Sequence, residues 1–287
     1  MLKISVGIPT YNSSKYLNEC LKSVLKLKSV NEIIISDDFS KNTELLRIKK
    51  IVNDLEIITD KKIFFIQNSK NLGAFENKLI LLKKASNDFV YVLDSDNLAS
   101  KKFDKAVSRM VSITNLNSYL IQPNIMYQFW QFPKLAKFFS VFFSKYKVKF
   151  FNKEISINME FVKNSLIENS GDYILDDIIS SEVKLSKTAE IIPTEDKWIF
   201  WVLNCGNFIV NRHEMIKIAS QGLNFSRNLR SVDAIVFSYL WLESKKEILL
   251  LKNFYHHHRK RQDSVSYMEK EDSITSIKYF INKVLRA

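Results

Sequence analysis

Phe89-Val90-Tyr91-Val92-Leu93-Asp94-Ser95-Asp96-Asn97 sets an apolar run against two carboxylates one residue apart. The run holds β-branched and aromatic residues and neither Gly nor Pro, which predicts a buried strand. Side chains alternate along an extended chain, so Asp94 and Asp96 are expected to point the same way. Two carboxylates held together repel each other unless a cation lies between them. Oxygen ligands of this kind suit Mg²⁺ or Mn²⁺, which take one or two carboxylates together with substrate phosphates. A solvated Asp-rich turn closing a strand fits the same string, and the choice between the two rests on the chain before it.

Working back from Phe89, strands and helices alternate. Ile4 to Ile8 reads as a first strand, ended by Pro9-Thr10-Tyr11-Asn12. Tyr16, Leu17, Cys20, Leu21, Val24 and Leu25 then recur at helical spacing. Asn31 to Ile35 is the second strand, and it ends in Ser36-Asp37-Asp38-Phe39-Ser40. Leu45 to Leu55 is a helix, Lys62 to Ile66 a third strand, Asn68 to Gly73 a polar turn, and Ala74 to Ala85 a helix. Four strands separated by helices imply a parallel sheet with right-handed crossovers. Ligands of such sheets bind at the carboxyl ends of the strands. Tyr11 and Asn12, Asp38, and Asp96 therefore converge on one edge, and that convergence marks a site more strongly than any one cluster.

Composition bounds the rest. An apolar content of 46% over 287 residues supports a real core, and 21 Phe make it aromatic-heavy. With 5 Gly and 4 Pro there is no flexible linker of the Gly/Ser or Pro type. Lys and Arg number 43 against 31 Asp and Glu, a net charge of +12 that calls for an anionic partner. The lone pair of cysteines, Cys20 and Cys205, lies far apart, so no disulfide framework is expected and a reducing, cytoplasmic setting is the default. The N-terminus runs straight into a strand pattern rather than a signal peptide, and no apolar run approaches the ~20 residues of a membrane span.

The first hundred residues resemble the nucleotide-binding half of family-2 glycosyltransferases, which have the GT-A fold. S-V-G-I-P-T-Y-N at Ser5 to Asn12, I-I-I-S-D-D-F-S at Ile33 to Ser40, N-L-G-A-F-E-N at Asn71 to Asn77 and D-S-D-N at Asp94 to Asn97 carry the likeness in order and spacing. The family's pattern has Gly where Phe39 stands and Arg where Glu76 stands. The resemblance implies an α/β fold, a mixed and mostly parallel sheet flanked by helices. Residues 1–100 would form its nucleotide-sugar half and 101–265 its acceptor half, with a helical, aromatic-rich C-terminal extension ending in an amphipathic helix over 266–287. It also implies that Pro9, Thr10 and Tyr11 line the nucleobase pocket and that Asp38 bonds the base. Asn71, Gly73, Asp94 and Ser95 would meet the donor, with Asp94 by the ribose or sugar. Asp96 would hold the metal, Mn²⁺ or Mg²⁺, that bridges the diphosphate.

Beyond the first hundred residues the signals thin. Lys101 to Asn117 predicts an amphipathic helix with Phe103, Val107, Met110 and Val111 inward. Ile125 to Phe151 interleaves eleven aromatics with five lysines. That pattern suits a segment lying on an anionic membrane interface, a core helical hairpin with solvated lysines, or a grip on single-stranded nucleic acid, the last being the least favoured. Glu154 to Thr194 is mixed and acidic. Phe208-Ile209-Val210 reads as a strand, followed by a helix from Arg212 to Ala219 and an apolar helix opening at Asp233. Relatives carry the general base at such a helix start, so the resemblance makes Asp233 the base, with Asp176 and Asp177 as competitors; capping is the ordinary use of Asp there. Leu249 to Phe254 is a strand that leads into a basic stretch, Tyr255 to Ser264. His258, Arg259, Arg261 and Ser264 resemble the family's diphosphate-binding residues, and His258 is the one His of three offered to the metal.

The implied function is inverting transfer of a hexosyl or N-acetylhexosaminyl group. The donor would be a nucleotide sugar, UDP-linked by family habit, and the acceptor a glycan or lipid-linked hydroxyl in bacterial surface polysaccharide synthesis, at the inner face of the cell membrane. A catalytically degenerate sugar-nucleotide or glycan-binding protein, and a basic nucleic-acid-binding module, are the alternatives from other classes.

Overall fold

The computed structural model describes residues 2–130, 146–149, 154–168, 202–226 and 233–260. Seven elements open the chain: β1 (Ile4–Thr10), α1 (Ser14–Leu25), β2 (Val30–Asp37), α2 (Asn42–Glu56), β3 (Lys62–Gln67), α3 (Ala74–Lys84) and β4 (Phe89–Val92). Then come β5 (Leu98–Ala99), α4 (Phe103–Met110), β6 (Tyr119–Trp130), β7 (Tyr146–Lys149), β8 (Ile155–Ile157) and α5 (Met159–Glu168). β9 (Phe208–Asn211), α6 (Arg212–Ser226), α7 (Asp233–Glu243) and β10 (Glu247–Lys260) complete the described chain.

Among the described residues one sheet runs in the order β3-β2-β1-β4-β9-β6-β10-β5, with β7 on β6 and β8 on β10. β3, β2, β1 and β4 are parallel, as the alternation of strands and helices demands. β9 is antiparallel to β4 and to β6, and β6 runs parallel to β10. The sheet is therefore mixed and mostly parallel, with helices on both faces. α1, α2 and α4 pack on one face through Leu17, Leu21, Ile48, Val52, Phe103 and Met110. α3, α5, α6 and α7 cover the other through Phe75, Leu82, Val162, Met215, Phe237 and Trp241. Adjacent strand residues feed opposite cores, Val90 and Val92 one, Phe89 and Tyr91 the other. Burial on both faces is why these strands read as unbroken apolar runs, and each buried side chain of this size contributes about 1.5–3 kcal/mol.

Several expectations change on the backbone. Pro9 lies inside β1, opposite Ser36, rather than ending it. The Gly7 carbonyl accepts from Leu93 and the Thr10 carbonyl from Asp38, so odd positions face β4 and even ones face β2. Pro9 thus faces the side where β4 has already ended, and its missing N–H breaks no ladder bond. The strand at Phe89 stops at Val92, and the Asn97 amide donates to the Asp94 carbonyl at 2.9 Å in a turn. The period-two argument for Asp94 and Asp96 therefore does not apply to them. α4 ends at Met110 and Val111 is exposed, not inward.

The basic stretch from Tyr255 is strand as far as Lys260. Between Leu251 and Tyr255 the register with β6 slips, with Asn253 at φ 69. Before the slip β10 pairs with β8; after it, His256 and His257 pair with Ala99 and Leu98 of β5, just past the Asp94 turn. The ends of the aromatic-lysine segment form strands, β6 pairing with β7 from Ile125↔Lys149 to Gln128↔Tyr146, which excludes a helical hairpin at those ends. Its middle, from Phe138 to Phe143, lies outside the described residues, as do Asp176, Asp177, Arg261, Ser264 and the helix expected over 266–287. Among the described residues no helix is long and apolar enough to cross a membrane.

Candidate functional site at the carboxyl edge

The loops that leave β1 and β2 are bonded to each other. Thr10 Oγ1 donates to Asp37 Oδ1 at 3.1 Å, and Asp37 Oδ2 accepts the Ser40 amide at 3.0 Å. The Asn12 amide donates to Ser40 Oγ at 2.8 Å, and Asn12 Oδ1 accepts the Lys41 amide at 3.0 Å. Phe39, between these anchors, sits at φ 65. A bulky side chain in that left-handed region costs about 1–3 kcal/mol and is sustained only by its surroundings. Gly, the family's residue here, has no such cost.

Asp38 is buried and holds the next loop. Its carboxylate accepts from Asn68 Nδ2 at 3.0 Å and from the Leu72 and Gly73 amides at 2.8 Å each. Gly73 takes φ 87 immediately before α3, and Asn71 Oδ1 accepts its amide at 3.1 Å. Asp38, Asn71 and Gly73 are thus one structural unit.

The centre of the edge is Lys78, which sequence reasoning missed. Its side chain is 3% exposed, and Nζ lies 2.9 Å from Asp94 Oδ1 and 2.7 Å from Asp233 Oδ2. It also donates to the Gly206 carbonyl at 3.4 Å. Burial works against the ammonium, but the Asp233 and Asp94 charges outweigh it and hold its pKa above the ordinary lysine range. Burial is also the largest influence on Asp94; Lys78 opposes it, Asp96 and Asp233 add to it, and the carboxyl rises to about 6. Gly206 is there because a Cβ would stand 2.6 Å from Asp94 Oδ2. One signal for Lys78 existed: it lies on the apolar face of α3, three residues after Phe75 and four before Leu82.

The Asp94 turn is held from two sides. Asn207 Oδ1 accepts the Asp94 amide at 2.9 Å, so its Nδ2 donates to His256 Nε2 at 3.1 Å. Neutral His256 then carries its proton on Nδ1, and burial, then His258 and His257, hold its pKa well below the usual histidine value. On the other side, Arg259 is buried with its Nε donating to the Asp96 carbonyl at 2.8 Å and its amide to Asn97 Oδ1 at 3.0 Å. Its Nη2 meets Glu19 Oε2 at 2.6 Å, and the guanidinium lies over the Tyr16 ring.

The residues expected in the site divide accordingly. Asp94, Asp96 and Asp233 come together around Lys78 and the Asp94 turn. Ser95 is buried and bonds Ser13 at 2.9 Å. Asp233, the first residue of α7, is 17% exposed, at the mouth of a helix buried from Ala234 to Leu242. Pro9 and Thr10 are strand residues with the Thr10 hydroxyl turned to Asp37, whereas Tyr11 is 48% exposed. His258, half-buried, stands beside the Arg259 that grips the Asp96 turn, its ring 5.5 Å from that of His256. Among the described residues no group of three or more His, Cys, Asp or Glu forms a ready-made metal cage.

Residues 5–167 match the family model described as Glycosyl transferase family 2, more than half of the chain. A poly(ribitol-phosphate) beta-N-acetylglucosaminyltransferase of Staphylococcus aureus, TarS, is 30% identical over 125 residues, 42% of this chain and 21% of its own. The chain therefore matches about a fifth of that relative's length. The crystal structure of TarS residues 1–349 with UDP-GlcNAc superposes at a TM-score of 0.50, with 16% identity over 99% of this chain and 70% of that one. GalNAc-T7, crystallised with UDP, GalNAc and Mn²⁺, superposes at 0.59 with 12% identity over 98% of this chain and 48% of that one. These two likenesses establish the GT-A fold.

Proposed function

Since this chain belongs to glycosyl transferase family 2, we propose that it transfers a sugar from a UDP-sugar to a hydroxyl acceptor with inversion, using Asp233 as the base. The observation that carries the reading is the Asp94–Lys78–Asp233 bridge, because it joins the proposed donor side of the site to a carboxylate on the acceptor side.

The acceptor hydroxyl attacks the anomeric carbon as Asp233 takes its proton, and the bond from that carbon to the diphosphate breaks. Lys78 Nζ, 2.7 Å from Asp233 Oδ2, holds that carboxylate in place at the mouth of α7. When the proton arrives, Lys78 keeps Asp94 as its counter-charge, so no buried cation is left alone. Asn207 and Arg259 hold the backbone of the Asp94 turn through its amide and the Asp96 carbonyl. Arg259 acts there by position, with its guanidinium on Glu19 and the Asp96 carbonyl.

The donor set fits a divalent ion. Asp96 oxygen and His258 nitrogen would hold it, and Mn²⁺ or Mg²⁺ needs only such a partial set when phosphates complete it. Bound there, the ion would neutralise charge on the departing diphosphate. The UDP-GlcNAc held by TarS and the UDP and Mn²⁺ held by GalNAc-T7 support this choice of donor and ion. TarS, by its name, glycosylates poly(ribitol-phosphate), which supports a surface-polymer hydroxyl as acceptor.

The test is UDP release from a panel of UDP-sugars, with and without Mn²⁺. Slow metal-dependent release that Asp96→Ala abolishes is expected. A protein that binds no nucleotide sugar in calorimetry overturns the reading, and salt-sensitive RNA binding in its place supports a nucleic-acid module.

A further inference from the structure

Phe39 is held where neither backbone preference nor packing asks for an aromatic. The turn after β2 is tied on both sides of it: the Asp38 amide to Thr10, the Ser40 amide to Asp37, and the Lys41 amide to Asn12. Those bonds impose φ 65, a conformation that glycine alone takes without strain. The usual compensation for such strain is burial, yet the Phe39 side chain is 52% exposed. A strained, exposed aromatic that its surroundings hold in place points to a ligand.

Its position narrows the ligand. Phe39 leaves the carboxyl end of β2, and exposed Tyr11 leaves the paired end of β1, where Thr10 lies opposite Asp37. The two aromatics thus stand on adjacent, mutually bonded loops at the edge that carries the site. The charged groups described above lie farther along that edge, around β4, α3 and α7. A ligand spanning both regions has an apolar, planar end and an end that meets carboxylates, as a nucleoside diphosphate arriving with its divalent ion would.

We propose that Phe39 is a donor-binding residue that stacks on the nucleobase, with Tyr11 on the neighbouring loop. The inference rests on the donor reading given above and adds the surface that the base meets. Base–aromatic stacking is sequence-tolerant and worth enough that losing one ring weakens binding about tenfold. Asp38, committed to the 68–73 loop, then shapes the pocket from behind.

The experiment uses the full chain with Mn²⁺ and two probes, UDP and inorganic pyrophosphate. Phe39→Gly removes the ring and the strain together. The expected result is an about tenfold weaker UDP affinity, unchanged pyrophosphate affinity, and a melting temperature no lower than wild type. Phe39→Tyr should keep wild-type UDP affinity. Equal UDP affinity in wild type and Phe39→Gly overturns the inference, as does an equal loss for pyrophosphate or a loss confined to the acceptor KM. A wild-type chain that binds no nucleoside diphosphate overturns the transferase reading itself, whereas wild-type UDP binding matched by Phe39→Gly overturns this inference alone.

Discussion

The two ends of the parallel strands bury charge in opposite ways. At the amino end, Glu32 of β2 accepts from Ser5 Oγ at 2.7 Å, from the Ser86 amide at 2.9 Å and from the Ser86 hydroxyl. Asp104 of α4 accepts the Lys28 and Ser29 amides at 3.0 and 2.8 Å. Lys61 donates to the Leu27 and Val30 carbonyls at 2.7 and 2.6 Å. These charges meet neutral groups of the loops they pin. At the carboxyl end Asp37 and Asp38 are pinned to loop groups in the same way, but there charge also meets charge, with Lys78 between Asp94 and Asp233 and Arg259 on Glu19. A charge satisfied by fixed dipoles has no further use for a ligand. A charge satisfied by other charges can be redistributed when a proton or phosphate arrives, and one fold thereby separates its fastening from its chemistry.

The largest expected effect tests the carboxyl end. Lys78→Met leaves Asp94 and Asp233, 32% and 17% exposed, without the cation between them. Breaking a fully buried pair costs about 3–5 kcal/mol, and their partial exposure brings the expected loss to about 2–3 kcal/mol. Urea unfolding at neutral pH should show that loss, and adding Asp233→Asn should restore part of it. A single-variant cost under about 1 kcal/mol would place Lys78 among ordinary surface pairs.

Asp233→Asn comes next. General-base catalysis is worth ~10²–10⁴-fold, so turnover should fall at least about a hundredfold with donor affinity nearly unchanged. Near-normal transfer, with loss instead in Asp176→Asn or Asp177→Asn, would move the base away from the Lys78 bridge.

The amino end should tolerate neutralisation. In Glu32→Gln the amide oxygen keeps the Ser5 O–H and Ser86 N–H donors, and the NH₂ can donate to the Ser86 hydroxyl. A loss of about 1 kcal/mol is expected by the same urea measurement. A loss as large as that of Lys78→Met would erase the contrast between the two ends.

The smallest effect is a pH dependence beside the site. Glu44 accepts from Ser14 Oγ at 2.6 Å and from its amide at 3.2 Å. The Ser14 hydroxyl is the chief cause of its pKa falling below the ordinary 4.5, burial opposes this, and Arg47 adds to it. A depressed carboxyl pKa contributes stability above the unfolded value, and that stability is lost as pH falls through the folded one. The urea midpoints of wild type and Glu44→Gln should therefore differ at pH 7 and converge as the pH falls below the ordinary glutamate range and through the lowered folded-state value. A gap that persists in acid would assign the effect to packing.

Much of the fold could be read locally. The alternation of periods around Ile33 to Ile35, Phe64 to Ile66 and Phe89 to Val92 gave parallel strands and their order of appearance, since periodicity and turn chemistry are properties of neighbouring residues. The Phe39 departure was also visible, because a glycine position had been filled. The long strand β10 was not, because its second half is polar and its pairing depends on a register slip and on β5, distant in the chain.

The sequence by itself determined the α/β class, the edge on which polar clusters converge, and the candidacy of Asp94, Asp96 and Asp233. Tertiary structure alone decided what each of them touches. Helical spacing placed Lys78 on a buried face, but a buried lysine is ruinous or useful according to the charges that meet it there. Those charges come from the turn after β4 and from the first residue of α7, brought to one point by crossovers that leave no mark on local spacing. Arg259 turned inward for the same reason: its partners, Asp96, Asn97 and Glu19, are neighbours only once β10 has joined the sheet.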